Sequence, residues 1–247
     1  MNAIRRIFAN IVCGFIPNKA RRRTLRVVLN ADVSGCIRFI KRDLNRKKLK
    51  HVKIFAGYSA RNLIISVDKE FVYKFPMFRS NSNKLALREK RVVDALAPLS
   101  PIYVPQVELL QKGKDIVRKY EYIDGVTLGQ MNCDTMLAHI KDIAPQIAKF
   151  IYTIACADPV AIRDLKPTKN AKPGYHVGWC HGDISDNFII NPETFKVIAF
   201  IDWEDASFFD FSPIFTSNRI SPRRELMLAV SREYDKLYNA KKAKKSR

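Results

Sequence analysis

The stretch from Trp179 to Ile190, "WCHGDISDNFII", places His, Gly, two Asp and an Asn directly ahead of an apolar run. A buried strand does not favour such residues, and a simple turn does not need them. The chain that follows predicts a short strand at 188–190, a turn at 191–193 and a second strand at 196–201 that ends at Asp202. The hairpin would fold the polar loop and Asp202 together.

This combination suits phosphoryl transfer, a reaction that asks little covalent chemistry of a protein. It needs oxygen ligands for Mg²⁺, a base that accepts the proton of the attacking hydroxyl, and rigid placement of both. A loop that offers Asp183 and Asn187, followed by a buried strand that delivers Asp202, meets these needs. For His-Gly-Asp taken alone, an Asp that caps a turn is the competing interpretation.

The region before the motif predicts a small lobe of strands followed by a helical region. Alternation of apolar and polar residues, with β-branched and aromatic side chains, indicates three antiparallel strands at 51–56, 62–67 and 71–76. Further along, the pattern predicts a helix at about 82–97, two strands joined by a turn at Gly113, and a helix over 134–157. The expected fold class is α+β, with an antiparallel-sheet N-lobe and a mainly helical C-lobe.

"HGD…N" followed some fifteen residues later by "IDWE" resembles the aminoglycoside phosphotransferase and choline kinase group of the protein-kinase-like fold. "YEYIDGVTL" at 120–128 is similar to the linker between the two lobes of that group. The similarity spans roughly residues 51–215, and its last two motifs are the specific ones. It implies a bilobal fold, ATP and Mg²⁺ as cofactors, and transfer of the γ-phosphate to an alcohol.

Carried onto this sequence, the resemblance implies a role for each matching residue. Asp183 would be the catalytic base, Asn187 and Asp202 would bind metal, and Lys74 would hold the α- and β-phosphates, positioned by Glu89. His181 would brace the loop, and Asp210 would anchor the segment after "IDWE". The remaining nucleotide contacts would come from Gly57 and Ser59 in the phosphate loop and from Glu121, Tyr122 and Ile123 at the adenine slot.

Three features leave alternatives open. The family's Asn lies five residues after the catalytic Asp, whereas Asn187 lies four after Asp183, so either the loop is shorter or Asp186 shares the metal role. Lys74 taken alone could be an edge-strand residue with its ammonium group in water. Cys180 beside His181 could suggest a metal or nucleophile pair, although adjacent residues of an extended chain point to opposite faces.

The charge of the chain lies at its two ends. The net charge is +20, of which residues 1–50 contribute +12, residues 219–247 contribute +7, and the 168 residues between them contribute only +1. A nearly neutral body argues against a dedicated nucleic-acid domain, so no specific nucleic acid is expected. Five scattered cysteines without a C-x-x-C pair favour a reducing, cytoplasmic compartment.

The N-terminal segment predicts an amphipathic helix followed by arginines. The apolar stripe has helical spacing and consists of Ile4, Ile7, Phe8, Ile11, Val12 and Phe15. Such a helix either packs on the domain or lies on an anionic membrane surface, and the basic cluster up to Arg26 favours peripheral attachment to the inner leaflet through residues 1–26. The segment is too short to span a bilayer.

The stretch "RRIFANIVCGFIPNKARRRTLR" resembles the openings of bacterial lipopolysaccharide and capsule biosynthesis proteins, including sugar kinases of the lipopolysaccharide core. That resemblance implies a kinase that phosphorylates a sugar hydroxyl, such as a heptose, on a cell-surface glycolipid precursor. The alternatives are a kinase of a soluble alcohol of the aminoglycoside or choline type, and a pseudokinase or scaffold with membrane- or nucleic-acid-binding ends. The expected segments are a basic helical segment at 1–50, the N-lobe at 51–123, the C-lobe at 124–240 and a basic tail at 241–247.

Overall fold

A computed structural model describes residues 17–56, 61–77, 81–166, 175–184, 186–216 and 223–245. Gly57 and Ser59 of the predicted phosphate loop lie outside these residues, and so does the predicted amphipathic helix at 4–15. The chain divides into two compact units. The first comprises residues 1–87 and 107–122, and the second comprises residues 88–106 and 123–247.

The first unit is built on a five-stranded antiparallel sheet with the strand order β1-β2-β3-β5-β4. The strands are β1 (Val52–Ala56), β2 (Asn62–Val67), β3 (Phe71–Pro76), β4 (Glu108–Lys112) and β5 (Asp115–Glu121). The three predicted strands at 51–56, 62–67 and 71–76 are confirmed to within one residue. The predicted turn at Gly113 is confirmed as well, and its φ of 60° is one that glycine adopts at little cost.

Two helices ahead of the sheet, α1 (Lys19–Asn30) and α2 (Val33–Asp43), cover one face of it. Val27 of α1 and Cys36, Phe39 and Ile40 of α2 are buried in one core cluster with residues of β2, β3 and β5. A polar contact closes the seam, because the buried Tyr73 hydroxyl donates to the Asp43 carboxylate at 2.6 Å. The two helices were predicted as part of a segment apart from the N-lobe, but they contribute these four side chains to its hydrophobic core.

The helix α3 (Ser82–Leu96) leads out of the first unit, in good agreement with the predicted span of 82–97. Its start is tied to the β4–β5 hairpin by Asn83, whose side chain donates to the Lys114 carbonyl at 2.8 Å and accepts from the Ile116 amide at 2.9 Å. Farther along the helix, Arg91 already belongs to the second unit. There its guanidinium forms two hydrogen bonds with the carboxylate of Asp164, a residue of the same unit.

The second unit combines helices with two small antiparallel sheets. One sheet has the order β6-β8-β9 and the other pairs β10 with β7. The strands are β6 (Val126–Thr127), β7 (Val177–Cys180), β8 (Phe188–Ile190), β9 (Val197–Phe200) and β10 (Ser207–Asp210), and the helices are α4 (Cys133–Ala138), α5 (Ile140–Ala155), α6 (Ser212–Thr216) and α7 (Arg223–Lys245). The α+β fold class, with an antiparallel N-terminal sheet and a helical C-terminal part, is confirmed.

Two helical predictions differ from the structure. The helix predicted over 134–157 is broken at His139, where α4 ends and α5 begins. The His139 ring stacks on Phe195 at 3.4 Å between centroids, and the His139 carbonyl accepts the amide of Ile143 to start the new helix. The basic tail predicted from residue 241 instead continues α7 to Lys245, with the Lys241 ammonium 5.6 Å from the Tyr152 ring.

Among the described residues, no helix has both the length and the apolar character that crossing a bilayer requires.

The packing of α2 on the sheet makes a stability prediction. Ile40→Ala should lower the free energy of unfolding by about 2–5 kcal/mol, because it removes fully buried side-chain volume from the core. The exposed neighbour Ser34 provides the control, and Ser34→Ala should change stability by less than about 0.5 kcal/mol. Urea denaturation measures both. Equal midpoints for the two variants would show that α2 adds nothing to the folded core.

Candidate active site

The hairpin of β8 and β9 brings the polar loop beside Asp202. Phe188 pairs with Phe200, and the ladder continues beyond the strands because the Ile201 amide donates to the Asn187 carbonyl at 3.1 Å. Asn187 therefore lies opposite the residue that precedes Asp202. The predicted juxtaposition of the loop with Asp202 is present in the second unit.

His181 connects the same elements through both ring nitrogens. The buried ring lies 3.0 Å from the Ile201 carbonyl through Nε2, and Nδ1 accepts the Asp183 amide at 3.3 Å. A carbonyl can only accept, so Nε2 carries the proton, and Nδ1 must be unprotonated to accept an N–H. Both contacts are satisfied by the neutral imidazole, which holds the loop at Asp183 against the end of β9.

A fourth hydrogen bond closes this network into a ring. The Asn187 side-chain amide donates to the Asp183 carbonyl at 3.0 Å. The path then runs from Asp183 to His181, from His181 to Ile201, from Ile201 to Asn187, and back to Asp183. The four-residue spacing of Asp183 and Asn187 thus permits a direct contact, and the amide oxygen of Asn187 stays available as an acceptor in this geometry.

Two residues of the site have positive φ angles. Gly182 has a φ of 83°, and a Cβ there would lie 2.9 Å from the Asp205 carbonyl oxygen, so only glycine fits between His181 and Asp183. Asp202 has a left-handed conformation with φ of 68°. A non-glycine residue in this region is uncommon and is held there by its surroundings. Here the surroundings are rigid, because the next side chain, Trp203, is buried and donates to the Phe200 carbonyl at 3.1 Å.

Buried aromatic rings pack against His181 and the end of β9. The His181 ring lies 4.2 Å from Phe200 and 5.4 Å from Trp203, and Phe150 of α5 makes edge contacts with both Phe200 and Trp203. Edge-to-face aromatic pairs add specific geometry to the burial of apolar area. The residues that carry the polar groups are therefore fixed by a packed core rather than by a loop in solvent.

Asp186 has a cationic partner that the sequence did not indicate. The Arg223 guanidinium at the start of α7 forms an ion pair with the Asp186 carboxylate, and its second nitrogen donates to the Gly129 carbonyl at 2.7 Å. Gly129 also lies against the loop, since its amide donates to the Asp186 carbonyl at 3.2 Å. The carboxylate of Asp186 is thus committed to a protein contact, which favours Asn187 over Asp186 as a metal ligand.

In the first unit, Lys74 belongs to a buried polar row. It lies on β3 in the middle of the sheet, only 7% exposed, so the interpretation as an edge-strand lysine with its head in water is wrong. Arg118 of β5 is its direct cross-strand partner and is 3% exposed, and it donates to the Asn62 side chain of β2 at 2.8 Å. The Lys74 ammonium lies 5.2 Å from the Tyr120 ring.

Arg118 and Asn62 were not among the residues predicted from the sequence. A charged residue inside an apolar strand could have indicated that Arg118 is buried. However, Arg118 is adjacent to Lys119, and two adjacent cations are typical of a solvent-exposed edge strand. Strand alternation separates the two residues, because Lys119 lies on the other face and pairs with Asp43 at 3.1 Å.

The other predicted residues are placed as follows. Glu89 is fully buried within α3, in the second unit. Glu121 ends β5, the Tyr122 amide donates to the Glu70 carbonyl at 2.7 Å, and Ile123 is the first residue of the second unit after β5. Asp210 accepts the Ser212 amide at 2.9 Å ahead of α6, and this hydrogen bond lowers the pKa of its carboxyl.

Cys180 does not fit a nucleophile or metal ligand. It is buried on β7, and burial raises the pKa of its thiol to about 11. A thiol with such a pKa remains protonated near neutral pH, whereas the thiolate is the reactive and metal-binding form. The four cysteines in the described part of the chain, Cys36, Cys133, Cys156 and Cys180, are free.

The oxygen ligands at the hairpin fit the coordination that Mg²⁺ prefers. Across the described residues, no three His, Cys, Asp or Glu side chains cluster closely enough to hold an ion by themselves. Mg²⁺ usually takes only one or two protein carboxylates and completes its shell with water and substrate phosphates. Asp202 and Asn187, which the backbone pairing of Ile201 with Asn187 brings close along the chain, would supply one carboxylate and one amide to a site of that kind.

The fold of the chain is shared with solved structures of known phosphotransferases. No protein-family model and no curated protein sequence matches the chain. Among solved structures, the GDP complex of wild-type aminoglycoside 2'-phosphotransferase-IIIa matches with a TM-score of 0.63 and 18% identity, over 81% of this chain and 83% of that chain. The chain has the fold of these phosphotransferases.

Two further structures support the same fold. The streptomycin–ATP ternary complex of APH(2")-IIa matches with a TM-score of 0.57 and 14% identity, over 83% of this chain and 84% of that chain. Macrolide 2'-phosphotransferase MphH from Brachybacterium faecium matches with a TM-score of 0.56 and 14% identity, over 81% of this chain and 83% of that chain. The phosphotransferase fold thus extends over most of the sequence at low identity.

The contact of Arg223 with the loop makes a second prediction. Arg223→Ala should lower the free energy of unfolding by about 1 kcal/mol, because the pair with Asp186 is partly exposed and one hydrogen bond to Gly129 is lost as well. The exposed neighbour Arg224 is the matched control, and Arg224→Ala should have an effect below about 0.5 kcal/mol.

A double-mutant cycle isolates the pair. Arg223→Ala combined with Asp186→Ala should be less destabilising than the sum of the single variants, because each single change already removes the same ion pair. Chemical denaturation of the four proteins measures the coupling. Strictly additive effects would contradict a direct interaction.

Proposed function

We propose that the protein is a nucleotide-dependent phosphotransferase that transfers the γ-phosphate of ATP to a hydroxyl group of a small molecule. The observation that carries the proposal is the ring of hydrogen bonds that gathers Asp183, Asn187 and the end of β9 beside Asp202. The shared fold of phosphotransferases supports the proposal, although a fold by itself does not define a reaction.

In this proposal Asp183 acts as the base. Its carboxylate accepts the proton of the acceptor hydroxyl as the hydroxyl oxygen bonds to the γ-phosphorus and the bond to the leaving ADP oxygen breaks. Hydrogen bonds to His181 and Asn187 fix the Asp183 backbone, from which the carboxylate projects. Asn187 and Asp202 would hold the metal, and bound Mg²⁺ supplies charge neutralisation of the phosphates.

The nucleotide contacts are proposed on the sheet of the first unit. Lys74 would hold the α- and β-phosphates with Glu89 as its positioning partner, and Arg118 adds a second buried cation beside Lys74. Lysine and arginine side chains donate charge-assisted hydrogen bonds to phosphate oxygens, which suits this pair to the triphosphate of a nucleotide. Gly57 and Ser59 would contribute to the phosphate loop, and Glu121, Tyr122 and Ile123 would line the adenine slot with backbone groups.

The assignment of Asp183 is tested by its isosteric amide. Asp183→Asn should reduce ATP-dependent phosphorylation at least about 100-fold, because the amide cannot accept the proton. Glu193→Gln, an exposed carboxylate in the turn of the same hairpin, should retain full activity. Both variants should keep the rise in melting temperature that ATP with Mg²⁺ gives the wild type. Retained turnover in Asp183→Asn would remove the mechanism, and a wild type that ATP does not stabilise would favour a pseudokinase.

Two kinds of acceptor, a soluble small molecule and a glycolipid sugar, have different support. The matching structures include complexes with kanamycin, streptomycin and gentamicin and a macrolide phosphotransferase, so the soluble small-molecule acceptor has the better support. The lipopolysaccharide-core sugar, with heptose as its example, rests on the basic ends of the chain and remains a prediction. Attachment to an anionic membrane through residues 1–26 remains a prediction as well.

Two measurements separate these acceptors. Purified protein with ATP and a panel of aminoglycosides and macrolides should show acceptor-dependent ADP release if the acceptor is soluble. Mass spectrometry of surface glycolipids from cells with and without the gene should show a shift of one phosphate on one fragment if the acceptor is a glycolipid sugar. Activity on the panel together with unchanged glycolipids would exclude the glycolipid function.

A further inference from the structure

A basic cavity lies on the first unit, at the end of α2. The cavity has a volume of about 370 Å³ and is open to solvent. It is lined by Arg38, Lys41, Arg42, Asn45, Arg46 and Lys47. Five of these six residues are cationic, and none is a carboxylate. We call this surface the basic cradle.

The backbone at the end of α2 brings these cations together. Arg38, Lys41 and Arg42 lie on one face of the helix, since they are three or four residues apart. The chain then turns at Asn45, which has a φ of 51°, and the Arg46 amide donates back to the Lys41 carbonyl at 2.8 Å. This left-handed helix end folds Arg46 and Lys47 beside the last turn of α2.

Arg46 and the residues that follow it tie the cradle to the sheet. The Arg46 guanidinium bonds Asp68 at 2.9 Å and Glu70 at 2.7 Å, both in the turn between β2 and β3. Asp68 also accepts the backbone amides of Lys50 and His51 at 2.7 and 2.8 Å. These contacts fix the shape of the cradle, so an anion would not have to order it on binding.

Only some of the cations of the cradle have a role in stabilising the fold. Lys41 and Arg42 complement the carbonyl end of α2, and Arg46 pairs with Asp68 and Glu70. For Arg38 and Lys47, no ion pair is present within the part of the chain that the structure describes. Like charges three or four residues apart on a helix are destabilising. A bound anion would offset that repulsion.

The cradle is separate from the Lys74 row. Phe39 and Ile40 of α2 pack against the sheet face that carries Tyr73 and Phe75. Lys74 alternates with these two residues along β3 and lies on the opposite face. The cradle therefore does not belong to the proposed nucleotide contacts.

We propose that the basic cradle binds the lipid phosphates of an anionic bilayer surface. Charge complementarity is the first argument, because clusters of Lys and Arg next to a bilayer gain attraction from anionic lipids. The second is position along the chain: the cradle belongs to the first 50 residues, which hold 14 Lys and Arg against two acidic residues. None of the six residues that line the cradle is an aromatic residue of the kind that stacks on nucleic-acid bases.

Vesicle flotation with the full chain tests this proposal. Wild-type protein should float with vesicles of phosphatidylglycerol and phosphatidylethanolamine and remain unbound with phosphatidylcholine alone. The triple variant Arg38→Gln, Arg42→Gln, Lys47→Gln should need on the order of 100-fold more anionic lipid for half-maximal binding, because each basic residue near the surface contributes to the attraction. Glutamine is a good helix former, so α2 should persist in the variant.

The matched control removes the same charge elsewhere. Lys149→Gln, Lys196→Gln, Arg224→Gln changes three exposed cations of the second unit and should bind anionic vesicles as the wild type does. Equal loss in the two triple variants would overturn the proposal, since net charge alone would then explain binding. Wild-type binding to phosphatidylcholine, or no binding to anionic vesicles, would also overturn it. Tighter binding of a single-stranded RNA through the same three residues would assign the cradle to nucleic acid instead.

The outcome does not depend on the proposed reaction. The cradle variant should phosphorylate a soluble acceptor at the wild-type rate, and Asp183→Asn should float as the wild type does. A failure of flotation and a failure of catalysis are therefore separate results.

Discussion

The backbone pairing of β8 with β9 is the constraint on which the candidate site depends. A shift of one residue in a hairpin would reverse the direction of every side chain, so the pairing of Phe188 with Phe200 determines which groups flank the end of β9. The hairpin has an irregularity between Ile189 and Ile190, on the side of the turn. The opposite end, where Asn187 meets Ile201, stays in register. The irregular part of the hairpin is thus kept away from the polar groups.

The ring of hydrogen bonds through His181 converts this pairing into a rigid loop. Each member both donates and accepts, and buried networks of this kind are stable only when every group has a partner. The neutral imidazole is the one protonation state that satisfies both of these neighbours, which explains how the histidine can be buried here at 2% exposure. The short spacing of Asp183 and Asn187 belongs to this design, because it lets the Asn187 amide reach the Asp183 carbonyl.

The sequence predicted the elements whose signals are local. The three first strands, the hairpin at 188–200 and the placement of the loop beside Asp202 follow from alternation, turn residues and strand length. Contacts between distant residues carried no such signal: Arg223 reaches Asp186 across 37 positions and Gly129 across 94. The burial of α1 and α2 on the sheet was hidden because their basic residues dominate the composition, although Val27, Phe39 and Ile40 supply the apolar face. Arg118 was hidden by its neighbour Lys119, which lies on the other face of β5.

The separation of charge within the first unit connects the surface with the acceptor. The sheet places Lys74 and Arg118 on one face and the helices with the basic cradle on the other, so the cradle does not belong to the proposed nucleotide contacts. A soluble acceptor would gain nothing from a cationic surface on that side. A lipid-linked acceptor would gain a higher local concentration, because attachment converts a search in solution into a search on a surface. Membrane binding by the basic cradle would therefore favour a lipid-linked acceptor, even though the fold is shared with phosphotransferases of aminoglycosides and macrolides.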